Sequence, residues 1–462
     1  MSSSGQPRNI VFILADQLRA DVAYHEKYPF VRTANIDRLR RESTTFTQAF
    51  CQSPVCGPSR AAITTGRYPQ QTGVLNNRCI LPPEERTIGH HLGDIGFDCV
   101  AFGKTHGQNP GFLVADEPPL VPSLGTSTWG PFRKPPADSR LSDREFEPLV
   151  GVFDHPREEH YDFRVAGETA RYLETRDTGR PFMLFVGLHG PHPPFLPPRE
   201  FASLYTSNQI EVPRLSQHDE GKPAFQKRSR RAWMSLSHDE QREMIAAYLA
   251  QVSHVDAAAG VILDALDAAG LAEHTVVVFT SDHGDQLGDH GLIGKFHNFY
   301  EASIRCPLIV RTPNNPSAGT TCHDLVELVD LYPTLCSLAG VTVPNGLAGR
   351  RLRLDPDPSD SDDLRSHVTS FMQEKPAHDI GADPSREYLR GMMIRTDRHK
   401  LALYTDDTGE LYDLADDPAE DRNRYDDPSL REIRMSLIER LGRESIRLHR
   451  APSLWQTNRF AG

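Results

Sequence analysis

The sequence holds no apolar run near the roughly 18 residues that a membrane span requires. Its best runs, Phe182–Leu188 and Val276–Phe279, are only strand-long. Residues 1–8 contain no apolar stretch ahead of Ile10, so no signal peptide is expected. Cysteine is sparse: seven residues, at 51, 56, 79, 99, 306, 322 and 336, with no C-x-x-C pair. That excludes a disulfide scaffold or a zinc knuckle and points to reduced thiols in a cytoplasmic protein. Basic residues are outnumbered, 51 against 63 acidic ones, for a net charge of −12. A nucleic-acid binder needs the opposite balance, so neither nucleic acid nor membrane is an expected partner. No internal repeat or low-complexity tract is present.

What is present fits a large α/β fold. The 462 residues allow a sizeable core. Asn9–Leu14 is a continuous apolar run, as in a strand buried on both faces of a parallel sheet. Strands are also expected at 99–102, 182–188, 275–280 and 308–310. Helices are expected around Ile36–Leu39, at 58–65 ending on Gly66, and at 88–95, 161–176 and 325–338. Pro suits a first helical turn and Gly a C-terminal cap. Ser237-His-Asp-Glu240 is a capping box that opens a long helix, with Met244, Ala247, Tyr248, Val252 and Val255 at helical spacing. Residues 107–160 and 193–235 read as irregular insertions. The polar, Pro-rich run 355–363 reads as a linker, which sets a catalytic domain at 1–360 and a C-terminal α+β subdomain at 361–462. The subdomain has strand candidates at 366–371, 389–395 and 399–404 and a helix at 429–444.

Ligands of open α/β sheets gather at the carboxyl ends of strands. Two strands here end in metal-capable pairs, Asp16-Gln17 and Asp282-His283. Carboxylate and amide oxygens with one imidazole suit a hard divalent cation, although either pair alone could be a turn or cap. Cys56 stands before an expected helix N-terminus, where free N–H groups favour an anion; an ordinary buried thiol would look the same. The basic run Lys227-Arg-Ser-Arg-Arg231 reads first as a solvated loop, and second as a guide for polyanionic substrates.

Cys56-Gly-Pro-Ser-Arg60, followed by Thr65-Gly66-Arg67, resembles the C-x-P-S-R signature of type I, formylglycine-dependent sulfatases. Other segments match in the same order. Ala15-Asp16-Gln17 is similar to the family's first metal pair, Gly103-Lys104-Thr-His106 to its G-K-x-H strand end, and Pro191-His192-Pro-Pro to its P-H-x-P segment. Thr280-Ser-Asp282-His283-Gly284 with Lys295 resembles its second metal pair and distal lysine. Val329–Thr334 and Glu410–Leu414 with Asp417-Pro418 resemble structural segments. Gln17 and His283 stand where commoner members have Asp and Asn; this variant is similar to choline sulfatases and phosphonate monoester hydrolases. The Lys104–His106 pair favours sulfate esters over phosphonates. The spacing from Lys295 to Glu301 is one residue longer than usual.

The resemblance implies an alkaline-phosphatase-like fold, a mostly parallel sheet sandwiched by helices. It implies hydrolysis of a sulfate monoester to alcohol plus sulfate, with a phosphonate monoester or phosphodiester hydrolase as the alternative. A silent anion-binding protein would result if Cys56 were never converted by its partner, a formylglycine-generating enzyme. One divalent cation would sit between Asp16, Gln17, residue 56, Asp282 and His283, with Ca²⁺ the family default and Mn²⁺ favoured somewhat by Gln and His. The aldehyde made from Cys56 would hydrate; one hydroxyl attacks sulfur, and the other expels sulfate. Arg60, Lys104, His106, His192 and Lys295 would face the developing charge, with His192 as the acid that protonates the leaving oxygen, assisted by His106. His189, His290 and His297 receive no role. A homo-oligomer is left open.

Overall fold

The computed structural model describes residues 9–82, 84–115, 150–176, 179–215, 218, 221–295, 298–313, 315–354, 364–374 and 388–448. Its centre is β1 (Asn9–Asp16), every residue of which is buried. Consecutive side chains of a strand point to opposite faces. Val11, Ile13 and Ala15 accordingly join one apolar core, while Ile10, Phe12 and Leu14 join a second across the sheet. Phe12 stacks on Phe185 with ring centroids 5.3 Å apart. Burial on both faces is why this strand reads as an unbroken apolar run.

The other strands of this sheet are β2 (Thr44–Phe50), β3 (Asp98–Gly103), β4 (Leu113–Val114), β5 (Phe182–Pro191), β6 (Thr275–Ser281), β7 (Arg305–Arg311), β8 (Thr320–Cys322) and β9 (Val326–Glu327). Their order is β4-β3-β5-β1-β6-β7-β2-β8, with β9 beside β2. β1 lies parallel to β5 and β6, and β7 is antiparallel to both β6 and β2. Among the described strands of this sheet β7 alone is reversed, so the ends of β1, β3, β5 and β6 open on one edge.

The flanking helices are α1 (Ala34–Arg41), α2 (Cys56–Thr65), α3 (Ile88–Gly93), α4 (Tyr161–Thr175), α5 (Ala224–Met234), α6 (His238–Ala268) and α7 (Leu331–Leu338). In α6 the expected capping box forms: the Glu240 amide donates to Ser237 Oγ and the Ser237 amide to Glu240 Oε2. By length and composition α6 is apolar enough to cross a membrane, a property the sequence reading missed, but its most apolar window is 89% buried, as befits a core helix. α2 stops at Gly66, whose φ of 64° lets its amide close on the Ala62 carbonyl.

A second sheet, β10 (Val368–Glu374), β11 (Leu389–Arg395), β12 (His399–Tyr404) and β13 (Gly409–Asp413), is antiparallel throughout and is covered by α8 (Arg431–Leu448). Ile394, Leu401 and Leu411 pack on α8 through Leu437 and Leu441. Val368 and Met372 instead join the core containing Phe50 and Cys51, which seats β10 on the first domain.

Some local expectations needed correction. β2 was not foreseen, because its polar TTFTQAF sequence becomes a strand only when slotted between β7 and β8. The helix expected over 325–338 begins only at Leu331, the preceding residues having paired with β2 as β9. The basic run 227–231 is not in a loop: it lies on α5, with Arg230 buried. Most of the first insertion and the 355–363 linker, with the boundary set at 360, lie outside the described residues, as does His297.

Candidate active site

Four chain segments converge where the parallel strands end. β1 delivers Asp16, after which Gln17 turns at φ 68°. β6 delivers Asp282 and His283, β3 leads into Lys104, and β5 ends at Pro191, next to His192. Cys56 is the first residue of α2, a helix buried along its whole length. Ligand atoms of Asp16, Cys56, Asp282 and His283 all lie within 4.8 Å of one another.

The thiol Sγ is 3.1 Å from His283 Nε2, 3.3 Å from Lys295 Nζ and 3.7 Å from Asp16 Oδ1. Lys295 Nζ also donates to Gln17 Oε1 at 2.5 Å, so the longer spacing does not keep this lysine from the site. Lys104 Nζ meets Asp16 Oδ2 at 2.8 Å. His192 holds the Pro193 carbonyl through Nδ1 at 2.6 Å, leaving Nε2 directed at Asp16 Oδ1, 4.0 Å away.

Arg60 also binds the cluster together. It is fully buried, and its Nε and Nη2 donate to Asp282 Oδ2 at 2.8 Å and Asp16 Oδ2 at 2.9 Å, while Nη1 holds the Lys104 carbonyl. It ties two carboxylates together that would otherwise repel. His106 sits at φ 57°, and among the described residues no hydrogen bond or ion pair joins its imidazole to the cluster; its Nδ1 is buried without a partner.

The electrostatics reflect crowded opposite charges. Burial opposes ionisation of Asp16, but Lys104, His192, Arg60 and Lys295 hold its carboxyl well below the usual range. Burial and the neighbouring Asp16 raise Asp282. Burial and Asp16 oppose the Cys56 thiolate, yet Lys295, His283 and Lys104 bring the thiol well below its ordinary value. Burial and Lys295 disfavour a proton on His283, but Asp282 and Cys56 draw it up to about 9. Burial, Lys295 and Lys104 lower His192.

These residues fit a hard cation. His283 bonds the Gly284 carbonyl through Nδ1 at 2.9 Å, which turns Nε2 toward the cluster. Gln17 Nε2 donates to Asp285, and this fixes its amide so that Oε1 faces inward. A divalent ion held here would need a neutral His283, so its binding would release the proton that Asp282 and Cys56 favour on the ring.

The sequence reading missed two residues here. Asp285, three positions past Asp282, orients Gln17 and accepts the Leu287 and Gly294 amides; its nearness to the metal pair was an available signal. Glu374, at the end of β10, is buried with Oε1 unpartnered. Burial pushes its carboxyl up to about 7, with Cys56 acting in the same direction and Lys295 against it. No local pattern announces it, because it arrives from the second sheet.

Comparison with known proteins agrees with this geometry. The Sulfatase family model matches residues 8–341, and the model for the N-sulphoglucosamine sulphohydrolase C-terminal region matches 288–447. The chain is 30% identical to human iduronate 2-sulfatase, over 92% of each chain. It is 28% identical to the choline-sulfatase of Rhizobium meliloti, over 92% of this chain and 84% of that one. The phosphonate monoester hydrolase of Agrobacterium radiobacter shares the fold, with TM-score 0.78 over 96% of each chain at 23% identity. The alkaline-phosphatase-like architecture and the separate C-terminal antiparallel sheet are therefore as expected. A family match over most of the chain, with its motif residues gathered at one strand-end site, makes this protein a member of the sulfatase family and a sulfuric ester hydrolase.

Proposed function

We propose that the protein hydrolyses a small-molecule or saccharide sulfate monoester to alcohol plus sulfate at Cys56, once a formylglycine-generating enzyme has oxidised that residue. The observation that carries this reading is the setting of Cys56. It is the first residue of a buried helix, with Lys295 and His283 against its sulfur and Lys104 and Asp16 alongside. The ion would be held by Asp16, Gln17, Asp282 and His283, with Ca²⁺ or Mn²⁺ fitting the donor set. When present, the cation acidifies the nucleophilic hydroxyl and neutralises sulfate oxygens, and the modified residue 56 supplies both that hydroxyl and the one that later releases sulfate.

The chain's own residues do the rest. Lys104 and Lys295 orient the anionic sulfate and offset the charge that grows on its oxygens. Arg60 keeps Asp16 and Asp282 side by side. His192 presents Nε2 to the leaving oxygen and donates a proton there. Burial and both lysines depress its pKa; an incoming sulfate monoanion offsets the lysines and favours the protonated ring. His106 is assigned to assist from the rim. A cytoplasmic location belongs to this reading, supported by seven unpaired cysteines.

The test is a panel of aryl, alkyl, choline and sugar sulfates, with a phosphonate monoester and a phosphodiester as controls, on protein whose Cys56 has been checked by peptide mass. Preferred turnover of sulfates is expected. Turnover of the phosphonate or phosphodiester alone would select the alternative hydrolase, and full activity with an unmodified thiol would overturn the mechanism.

A further inference from the structure

A second buried cluster, His160, Asp162 and His254, lies apart from the metal site, with its donor atoms also within 4.8 Å of one another. Three donors already occupy its carboxylate. Asp162 Oδ1 accepts the His189 amide at 2.6 Å; Oδ2 accepts the Gly190 amide at 3.0 Å and His254 Nε2 at 2.7 Å. His160 Nδ1 accepts the Asp162 amide and caps α4. A carboxylate taking three N–H bonds has little left for a cation.

The two amides belong to the segment that carries His192. Along β5 the register with β1 shifts: Leu14 faces Gly187, but Asp16 faces Pro191. Two residues of β1 therefore span four of β5. Such a bulge leaves backbone donors outside the ladder, and a buried orphan donor is costly. Asp162 takes up both. The chain then turns, with the His192 amide donating to the His189 carbonyl at 3.1 Å, and the His192 ring is locked onto the Pro193 carbonyl. The close approach needs a glycine: a Cβ on Gly190 would stand 2.6 Å from Val255 Cγ2 and 2.8 Å from Asp162 Oδ2.

We propose that Asp162, held by His254, is a positioning residue for His192: by gripping the His189 and Gly190 amides it sets the height and direction of the His192 imidazole above the nucleophile. This rests on the reading of His192 as the proton donor. A misplacement of about 1 Å can cost on the order of 10²-fold in rate, and the loss should fall where the proton is needed.

The experiment uses converted, metal-loaded enzyme. Asp162→Asn puts an NH₂ group against a donor it cannot satisfy. Its rate on an alkyl or sugar sulfate should fall ~10–100-fold, while nitrophenyl sulfate, whose leaving group needs no proton, should lose less than about threefold. His254→Gln keeps an N–H for Oδ2 and should stay near wild type; His254→Leu should resemble Asp162→Asn. Hydrogen exchange supplies a readout free of activity and substrate, since the His189 and Gly190 amides should exchange faster in Asp162→Asn. Equal losses on both ester classes would overturn the proposal. So would unchanged exchange of the two amides, or loss of one bound Mn²⁺ equivalent in Asp162→Asn, which would make the cluster a cation cage. Wild-type enzyme that turns over no sulfate ester would instead refute the proposed function, and the exchange measurement would still decide whether Asp162 holds the loop.

Discussion

The two buried acid–histidine clusters pass the same distance criterion, yet they are built for different ends. At Asp16, Asp282, His283 and Cys56 the ligand atoms face one another, and against burial and Lys295 the neighbours Asp282 and Cys56 draw the His283 imidazole up to about 9. At Asp162 each carboxylate oxygen is already occupied by an N–H donor. What distinguishes the two is the kind of donor: the carboxylates of the first cluster are met mainly by the side-chain cations Arg60 and Lys104, that of the second by two backbone amides and an imidazole. The first cluster brings Cys56, Lys104 and Lys295 together in one charged site, whereas the second holds the backbone that leads to His192.

Perturbing each cluster should separate them. The largest effect is expected for Cys56→Ser, which should perform at most one attack and then stall, because a sulfated serine has no second hydroxyl to expel sulfate. A single-turnover burst with no steady state, followed by mass spectrometry of the peptide, checks this. Chelation should abolish turnover by emptying the first cluster while leaving the second intact: exchange at His189 and Gly190 should not change. Full turnover by exhaustively demetallated protein would erase the distinction drawn here. Next in size, His192→Ala should lose about 10²–10⁴-fold on alkyl or sugar sulfates and far less on nitrophenyl sulfate. Equal losses would mean that His192 chiefly holds sulfate.

Acid should act on the second cluster. Burial and His254 push the His160 imidazole down to about 3. The unfolded chain takes up that proton near pH 6.5, and the fold refuses it until about 3. Stability is therefore lost as pH falls through this window, and His160→Gln should flatten the decline in urea midpoints measured between pH 7 and 4. The smallest effect is reserved for Glu374. Its folded carboxyl titrates at about 7 instead of the usual 4.5. The fold thus binds a proton that the unfolded chain has lost, and stability falls as pH rises from 4.5 to 7. Glu374→Gln should gain Tm over wild type at pH 8 and little at pH 5.

Much of the catalytic site was legible because it is assembled from local pieces. A strand that ends in Asp16-Gln17 or Asp282-His283 brings its ligands to the sheet edge by topology, and a helix that begins at Cys56 sets that residue over the same edge. The contacts that no local segment shows depend on long-range packing. Only the packed fold shows Arg60 bonded to two carboxylates 44 and 222 positions away. Asp162 and His254 are 92 residues apart, and neither has a neighbour in sequence that hints at the bulge they serve.

The same division runs through the whole chain. Periodicity, capping and strand-end motifs act over a few residues, so the sequence by itself determined the buried strands, the long capped helix and the arrival of Asp16 and Asp282 at strand ends. Tertiary structure decided the rest: that polar Thr44–Phe50 becomes a strand, that Glu374 comes from a second sheet to Lys295 and Cys56, and that one carboxylate cluster meets side-chain cations while the other holds backbone amides. The physical reason is that hydrogen-bond satisfaction and desolvation belong to the packed neighbourhood of a group. That neighbourhood is drawn from segments hundreds of residues apart, and no local window of the sequence contains it.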